Sequence, residues 1–207
     1  MKKKIIFLLS ALVVVVTAFA TFPKKGAAEE IVYDFSVFDV ATDVPTSDLW
    51  SYTEGDWGNV RNAAALETPT AINARLANVL FTCSGSGNIV WQLYAANEGY
   101  GNQIVMNNSG VKMQLAAASQ GDKIVFYATS NRDAEFGEYS IAKNADYAEY
   151  TFIAESDAPT FDMPRGLTIR TITVVKAVPK DVVHDFSVFD VATDPAPKFM
   201  QKKTAKS

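Results

Sequence analysis

Carboxylates are densest in the stretch 131–138, which contains Asp133, Glu135 and Glu138. A pair of carboxylates can act as acid and base in glycoside hydrolysis, and a loop of oxygen ligands can hold calcium. Arg132 and Gly137 interrupt the cluster, as is typical of a solvated loop. We therefore predict an exposed loop here, with a calcium-binding loop as the alternative.

A second oxygen-rich group consists of Asp39, Thr42 and Asp43. These residues are candidate calcium ligands, and the alternative is that they only end a strand. No cofactor is predicted apart from this open question of calcium.

His184 is the only histidine in the sequence and Cys83 is the only cysteine. A Ser-His-Asp triad needs a histidine base, and zinc sites need several histidine or cysteine ligands. His184 lies beside a repeated segment whose first copy has Tyr33 in its place, which argues against a catalytic role. Cys83 is predicted to be a small buried side chain. We therefore predict that the chain is not an enzyme.

Aromatic rings outside the core are the better candidates for function, because they stack on sugar rings while neighbouring amides bond the hydroxyls. Two polar, glycine-containing segments, 49–59 and 97–103, hold such rings. Tryptophans of β-sandwiches are also common in the core, and the alternation around Trp91 predicts that it is buried. The predicted ligand-binding residues are Trp57, which is the first choice for exposure, with Tyr52, Trp50, Tyr100, Asn59 and Asn102; for Trp50 and Trp57 a core position is the alternative.

The elements that position these residues are predicted to be β-strands, because short runs of alternating polarity dominate the chain. The run 111–115 alternates cleanly, and the run 123–128 is apolar enough on both faces for a central strand. The run 167–176 loses its phase after Ile169, which predicts a β-bulge near Arg170 and Thr171. Turn residues separate the runs, and no helices alternate with them. The predicted fold is all-β, an antiparallel β-sandwich of jelly-roll type.

An internal repeat is the clearest feature of the sequence. The ten residues 34–43, Asp-Phe-Ser-Val-Phe-Asp-Val-Ala-Thr-Asp, return unchanged at 185–194, an offset of 151 residues. This spacing is about one domain length. Two interpretations remain open: a second module that begins and stops, or a duplicated strand within one domain.

The start of the chain predicts export. Three lysines precede an apolar run over residues 5–20 that is short for a membrane span, and alanines at 18 and 20 fit a signal-peptidase site. The alternative is a permanent N-terminal anchor. The predicted organisation is a signal peptide and start of the mature chain at 1–28, a β-sandwich at 29–180, and a repeated strand segment with a basic disordered tail at 181–207.

Charge limits the partners that we expect. The formal net charge is −4 and no basic stripe is present, so nucleic acid is not an expected partner. After removal of the signal we predict no membrane span, and a location that is secreted, periplasmic or at the cell surface of a bacterium.

Four sequence segments resemble a known family: Leu49-Trp50, then 109–115, 120–126 and the closing run 166–174. In this order they resemble the β-sandwich modules of secreted Bacteroidetes polysaccharide-degrading proteins, which often precede a pectate-lyase-like β-helix. The resemblance covers roughly residues 31–177. It implies an accessory module that binds carbohydrate or acts as a spacer, and no β-helix follows here.

The leading functional hypothesis is thus a secreted, non-catalytic β-sandwich that binds polysaccharide through loop aromatics. The alternative is a surface or matrix protein that assembles through the repeated strand, which would add to the sheet edge of a neighbour.

Overall fold

Strands form nearly all of the regular structure in the computed structural model, which describes residues 28–54, 59–94 and 101–178. In chain order the elements are β1 (Glu30–Asp34), α1 (Val40–Asp43), β2 (Trp50–Thr53), β3 (Asn59–Asn62), β4 (Leu66–Ala71), β5 (Val79–Cys83), β6 (Ile89–Gln92), β7 (Gln103–Met106), β8 (Val111–Leu115), β9 (Lys123–Ser130), β10 (Ala134–Phe136), β11 (Tyr139–Ile141), β12 (Ala148–Ile153), β13 (Thr160–Met163) and β14 (Leu167–Val175).

The strands form two main antiparallel sheets. The large sheet has the order β12-β9-β14-β7-β6-β3-β2, and β1 pairs with β14 beyond the short β14–β7 ladder. The small sheet has the order β13-β8-β5-β4, and β10 and β11 form a separate hairpin. The chain crosses repeatedly between the two main sheets, as in a jelly roll. The prediction of an all-β antiparallel sandwich is confirmed.

The core lies between the sheets and follows from the alternation of side chains along each strand. In β9, for example, Ile124, Phe126 and Ala128 are fully buried, whereas Tyr127 between them is exposed. The ring of Phe126 meets that of Phe161 in the small sheet at 5.1 Å between centres. Such edge-to-face contacts join the two sheets and fix their spacing.

The bulge predicted near Arg170 is confirmed. The register between β14 and β9 shifts between Ile169 and Thr171, so Arg170 is the extra residue. The extra residue shifts the phase of the strand by one, so Ile172 and Val174 face the core after Leu167 and Ile169 have done so.

Several predictions concern residues outside the described part of the chain. The signal peptide, His184 and the second copy of the repeat are among them. All described strands precede Ala177, where a second unit of the chain begins. In the described residues, no helix is long and apolar enough to span a membrane.

Candidate functional site

A groove of about 290 Å³ opens on the face of the large sheet that points away from the core. Trp91 in β6 and Ile104 in β7 are fully buried, so the residues after and before them point to the opposite face. These are Gln92 and Gln103, which pair across the two strands. The side chains that line the groove and matter for its chemistry are Gln92, Tyr94, Gln103, Thr129, Asn131, Asn144, Tyr147, Thr168 and Arg170.

Two tyrosines and two glutamines form a hydrogen-bonded chain along the groove. The Tyr94 hydroxyl donates to Gln92 Oε1 at 2.8 Å, and Gln103 Nε2 donates to the same oxygen at 2.9 Å. The Tyr147 hydroxyl in turn donates to Gln103 Oε1. These bonds hold both rings in fixed orientations, so the groove is ordered before any ligand arrives.

Arg170 reaches the groove from β14, on the same outward face as Thr168, because Ile169 between them is fully buried. Its guanidinium carbon lies 4.1 Å from the centre of the Tyr147 ring, which is within cation–π range. Its Nε is buried, and no described residue accepts a hydrogen bond from it. Among the described residues, none of the ion pairs involves Arg170. The groove therefore holds a positive charge that no described carboxylate neutralises.

The Tyr147 hydroxyl remains protonated at neutral pH. Burial raises the pKa of Tyr147, and the neighbouring charge of Arg170 opposes this rise without cancelling it. The hydroxyl can therefore keep donating to Gln103 over the physiological range.

The loop between β11 and β12 closes one side of the groove. Asn144 has a left-handed φ of 57°, a conformation that asparagine adopts more readily than most residues. Its backbone nitrogen donates to Ser130 O at the end of β9 at 2.7 Å. This contact places the asparagine amide beside the sheet face.

Trp50 is reassigned from candidate ligand residue to core. Its ring is only 5% exposed and meets Phe81 of the small sheet edge-to-face at 6.1 Å. A buried ring offers no face to a sugar. The alternation of β2 places Trp50 on the inner side of the sheet, as the core interpretation expects.

Three other predicted residues lie near the groove or beside the repeat rather than in the groove lining. Tyr52 is half-buried and stacks on Phe38, with 5.6 Å between ring centres. Asn59 pairs with Gln92 across β3 and β6, and its Oδ1 accepts from Arg61. Asn102 Oδ1 accepts from the backbone nitrogen of Tyr94 at 2.9 Å. Asn102 thus supports the groove from its edge, whereas Asn59 does not line it.

Trp57 and Tyr100 lie outside the described residues. Their predicted roles stay predictions.

Four of the six candidate calcium ligands serve other contacts. Asp133 accepts from the backbone nitrogen of Lys143 at 2.8 Å, and Glu135 accepts from Ser140. Asp39 caps α1, and Asp43 pairs with Arg75. In the part of the chain that the structure describes, no three acidic, histidine or cysteine side chains are placed to hold a metal ion.

The sequence analysis missed the principal groove residues: Gln92, Gln103, Tyr147 and Arg170. A signal existed for three of them. Each glutamine stands next to an apolar residue, Trp91 or Ile104, and alternation along a strand then places the glutamine on the outer face. Arg170 follows Ile169 in the same way. Nothing in the local sequence connects Tyr147 to either.

Fold and groove together define a class: an antiparallel β-sandwich with an aromatic and polar groove on the outer face of its large sheet. Comparison of the sequence with known protein families and with curated proteins finds no match.

Proposed function

We propose that this chain is a non-catalytic carbohydrate-binding module, and that its ligand is a saccharide bearing acidic groups. The observation that carries the proposal is the groove on the large sheet, in which Tyr147 and Arg170 lie against each other beside a row of amides. The predicted export and the resemblance to modules of polysaccharide-degrading proteins favour the same function.

The groove offers the two kinds of contact that sugars require. Tyr94 supplies a ring with an apolar body and a polar tip, and the ring of Tyr147, which contacts Arg170 and Tyr127, holds the arginine in place. Gln92, Gln103 and Asn131 supply amides that donate and accept, which suits hydroxyl groups. The hydroxyl-to-amide bonds between them limit the entropy lost on binding.

The positive charge of Arg170 predicts that the ligand is negatively charged. An arginine presents donors in a planar fork that matches a carboxylate or sulfate. Here the guanidinium carries a buried Nε without an acceptor among the described residues. An acidic group on the sugar would neutralise the positive charge that Arg170 brings to the groove.

The lining favours binding over hydrolysis. Glycoside hydrolysis ordinarily uses two carboxylates that flank the bond to be cleaved. Among the described residues that line this groove, none is aspartate or glutamate.

The test compares one polymer with and without its charge. Native gels cast with polygalacturonate, with its methyl ester, or with a neutral xylan separate charge from sugar shape. We expect polygalacturonate to retard the purified protein, the ester to retard it less, and added salt to weaken the effect. The substitution Arg170→Gln should weaken binding at least about tenfold, because a charge-assisted hydrogen bond contributes roughly 1.5–3 kcal/mol.

Arg61→Gln is the matched control, since Arg61 is exposed on the same large sheet but does not line the groove. It should leave retardation unchanged. Equal retardation by the ester, unaffected by Arg170→Gln, would refute the acidic ligand. Free migration through acidic and neutral polymers alike would refute carbohydrate binding.

A further inference from the structure

The first copy of the repeat is a surface segment that docks on the rest of the sandwich. It belongs to a longer stretch, residues 30–43, which we call the N-terminal segment and which comprises β1, a short link and α1. In the described residues, β1 pairs only with β14. Val32, Val37 and Val40 are each more than half exposed. The segment can therefore leave without breaking a second strand ladder.

Much of the shape of the segment is encoded within itself. Asp34 Oδ1 accepts from the nitrogen and the hydroxyl of Ser36 at 2.8 and 2.6 Å. Asp39 Oδ1 accepts from Ala41 N, and Asp43 Oδ2 accepts from Asp39 N, both at 2.8 Å. These bonds fix the turn and the helix start locally.

Two phenylalanines anchor the segment to Trp91. The Phe35 ring is fully buried and lies edge-on to Trp91, and the Phe35 carbonyl accepts from Trp91 Nε1 at 2.8 Å. The Phe38 ring meets Trp91 at 5.0 Å and stacks on Tyr52. Aromatic anchors in a packed pocket are the contacts that dominate binding energy at interfaces.

Arg75 completes the attachment. Its Nε and Nη2 bond the two carboxylate oxygens of Asp43 at 2.6 and 2.9 Å, in the two-pronged arrangement that arginine favours. Its Nη1 and Nη2 also bond the carbonyls of Asp34 and Val37, both at 3.1 Å. We call Tyr52, Arg75, Trp91 and the edge of β14 the segment site.

Residues 181–194, the C-terminal segment, carry every side chain that these contacts use. Eleven of the fourteen positions are identical to residues 30–43. The differences are Asp181 for Glu30, Val182 for Ile31 and His184 for Tyr33. Each replacement is the same size or smaller, so none overfills the position that it would take.

We propose that the segment site is a peptide-binding site whose second ligand is the C-terminal segment of another copy of this chain. This exchange joins molecules head to tail. It differs from simple edge addition, because the incoming strand replaces a strand and brings its own phenylalanines and aspartate to Trp91 and Arg75.

The intact N-terminal segment has the advantage over the C-terminal segment of a neighbouring molecule, because attachment to the molecule that holds the site gives it an effective concentration of about millimolar. The wild-type chain should therefore be monomeric at micromolar concentration. Substitutions that weaken the binding of the N-terminal segment should let the C-terminal segment of a neighbouring molecule occupy the segment site.

The identical copies allow a matched experiment in the full chain. One variant carries Phe38→Ala with Asp43→Asn, a second carries Phe189→Ala with Asp194→Asn, and a third carries all four changes. Sedimentation velocity over a range of concentrations gives the mass of each. We expect the first variant to reach at least twice the monomer mass, while the second and third remain monomeric.

A first variant that is folded by far-UV circular dichroism and sediments like the four-fold variant at every concentration would overturn the proposal. If the first variant does not fold, a synthetic peptide of residues 181–194 decides the question. The peptide should raise the melting temperature of the four-fold variant by several degrees, and a peptide with Phe189→Ala and Asp194→Asn should not. Equal effects of the two peptides would also overturn the proposal.

Discussion

Two arginines of this sandwich lie against aromatic rings, and their surroundings are opposite. Arg75 lies 5.5 Å from the centre of the Trp91 ring, and its guanidinium is bonded to a buried carboxylate and two carbonyls. Arg170 lies 4.1 Å from the Tyr147 ring, and no described carboxylate pairs with it. Arg75 therefore stabilises the fold, whereas the proposed role of Arg170 is to bind a ligand.

The difference shows how the contacts of an arginine distinguish a charge that stabilises the fold from one that can bind a ligand. A guanidinium whose donors are satisfied within the chain adds to stability, and removing it leaves its buried partners without a hydrogen-bond donor. A guanidinium that packs on a tyrosine ring without a carboxylate, as Arg170 does among the described residues, adds less to stability, and its charge fits the proposed acidic ligand.

The largest expected effect is on Arg75. Arg75→Met should lower the free energy of unfolding by about 3 kcal/mol, because Asp43 is 1% exposed and would lose the guanidinium that pairs with it. Arg170→Met should cost less than about 1 kcal/mol. Urea unfolding measures both.

Arg61→Met, at an exposed site on β3, controls for the change of side chain and should stay within about 0.5 kcal/mol of wild type. Equal losses at Arg75 and Arg170 would remove the distinction between the two arginines.

A smaller effect separates the tyrosines of the two regions. Tyr52→Ala should destabilise the fold by about 1–2 kcal/mol, because it removes the ring on which Phe38 stacks. Tyr147→Ala should weaken retardation by polygalacturonate about tenfold with less loss of stability. Thermal unfolding and affinity gels measured on both variants test this crossover.

Tyr147→Phe refines the comparison. It keeps the ring and removes only the hydroxyl bond to Gln103, so it should lose less affinity than Tyr147→Ala. If the two substitutions weaken binding equally, the hydroxyl matters more than the ring.

The smallest effect is the response to alkaline pH. Burial raises the pKa values of Tyr33, Tyr147 and Tyr150 in the folded chain. Between about pH 10 and these raised values, the unfolded chain loses protons that the folded chain retains, so stability falls as pH rises. Urea unfolding in a pH series measures the slope, and Tyr147→Phe should make it shallower. A slope that is unchanged in this variant would contradict a contribution from Tyr147.

Alternation of side chains made the strands predictable. The clean pattern of β8 and the lost phase after Ile169 both depend on near neighbours in sequence, and the structure confirms the strand and the bulge. The alternation of β2 could also have predicted that Trp50 is buried. Most of the residues around Trp50 in the sequence are polar, and the ring on which it packs, Phe81, lies in the other main sheet.

The groove could not be predicted from local sequence patterns, for a different reason. Its residues come from β6, β7, β14 and the loop before β12, and they meet because β14 pairs with both β7 and β9. Strand order depends on the packing of the whole core, so the meeting of Tyr147 with Arg170 has no signature in either neighbourhood.

The sequence by itself determined the strand-rich architecture, the bulge at Arg170 and the identity of the repeated segment, because these depend on side-chain alternation and on direct comparison of residues. Only the tertiary structure decided that the repeat docks on Trp91 and Arg75, and that two glutamines, two tyrosines and an arginine without a described carboxylate partner share one groove. Those contacts join residues far apart in the chain, and they form only when the folded core brings the strands into their pairing order.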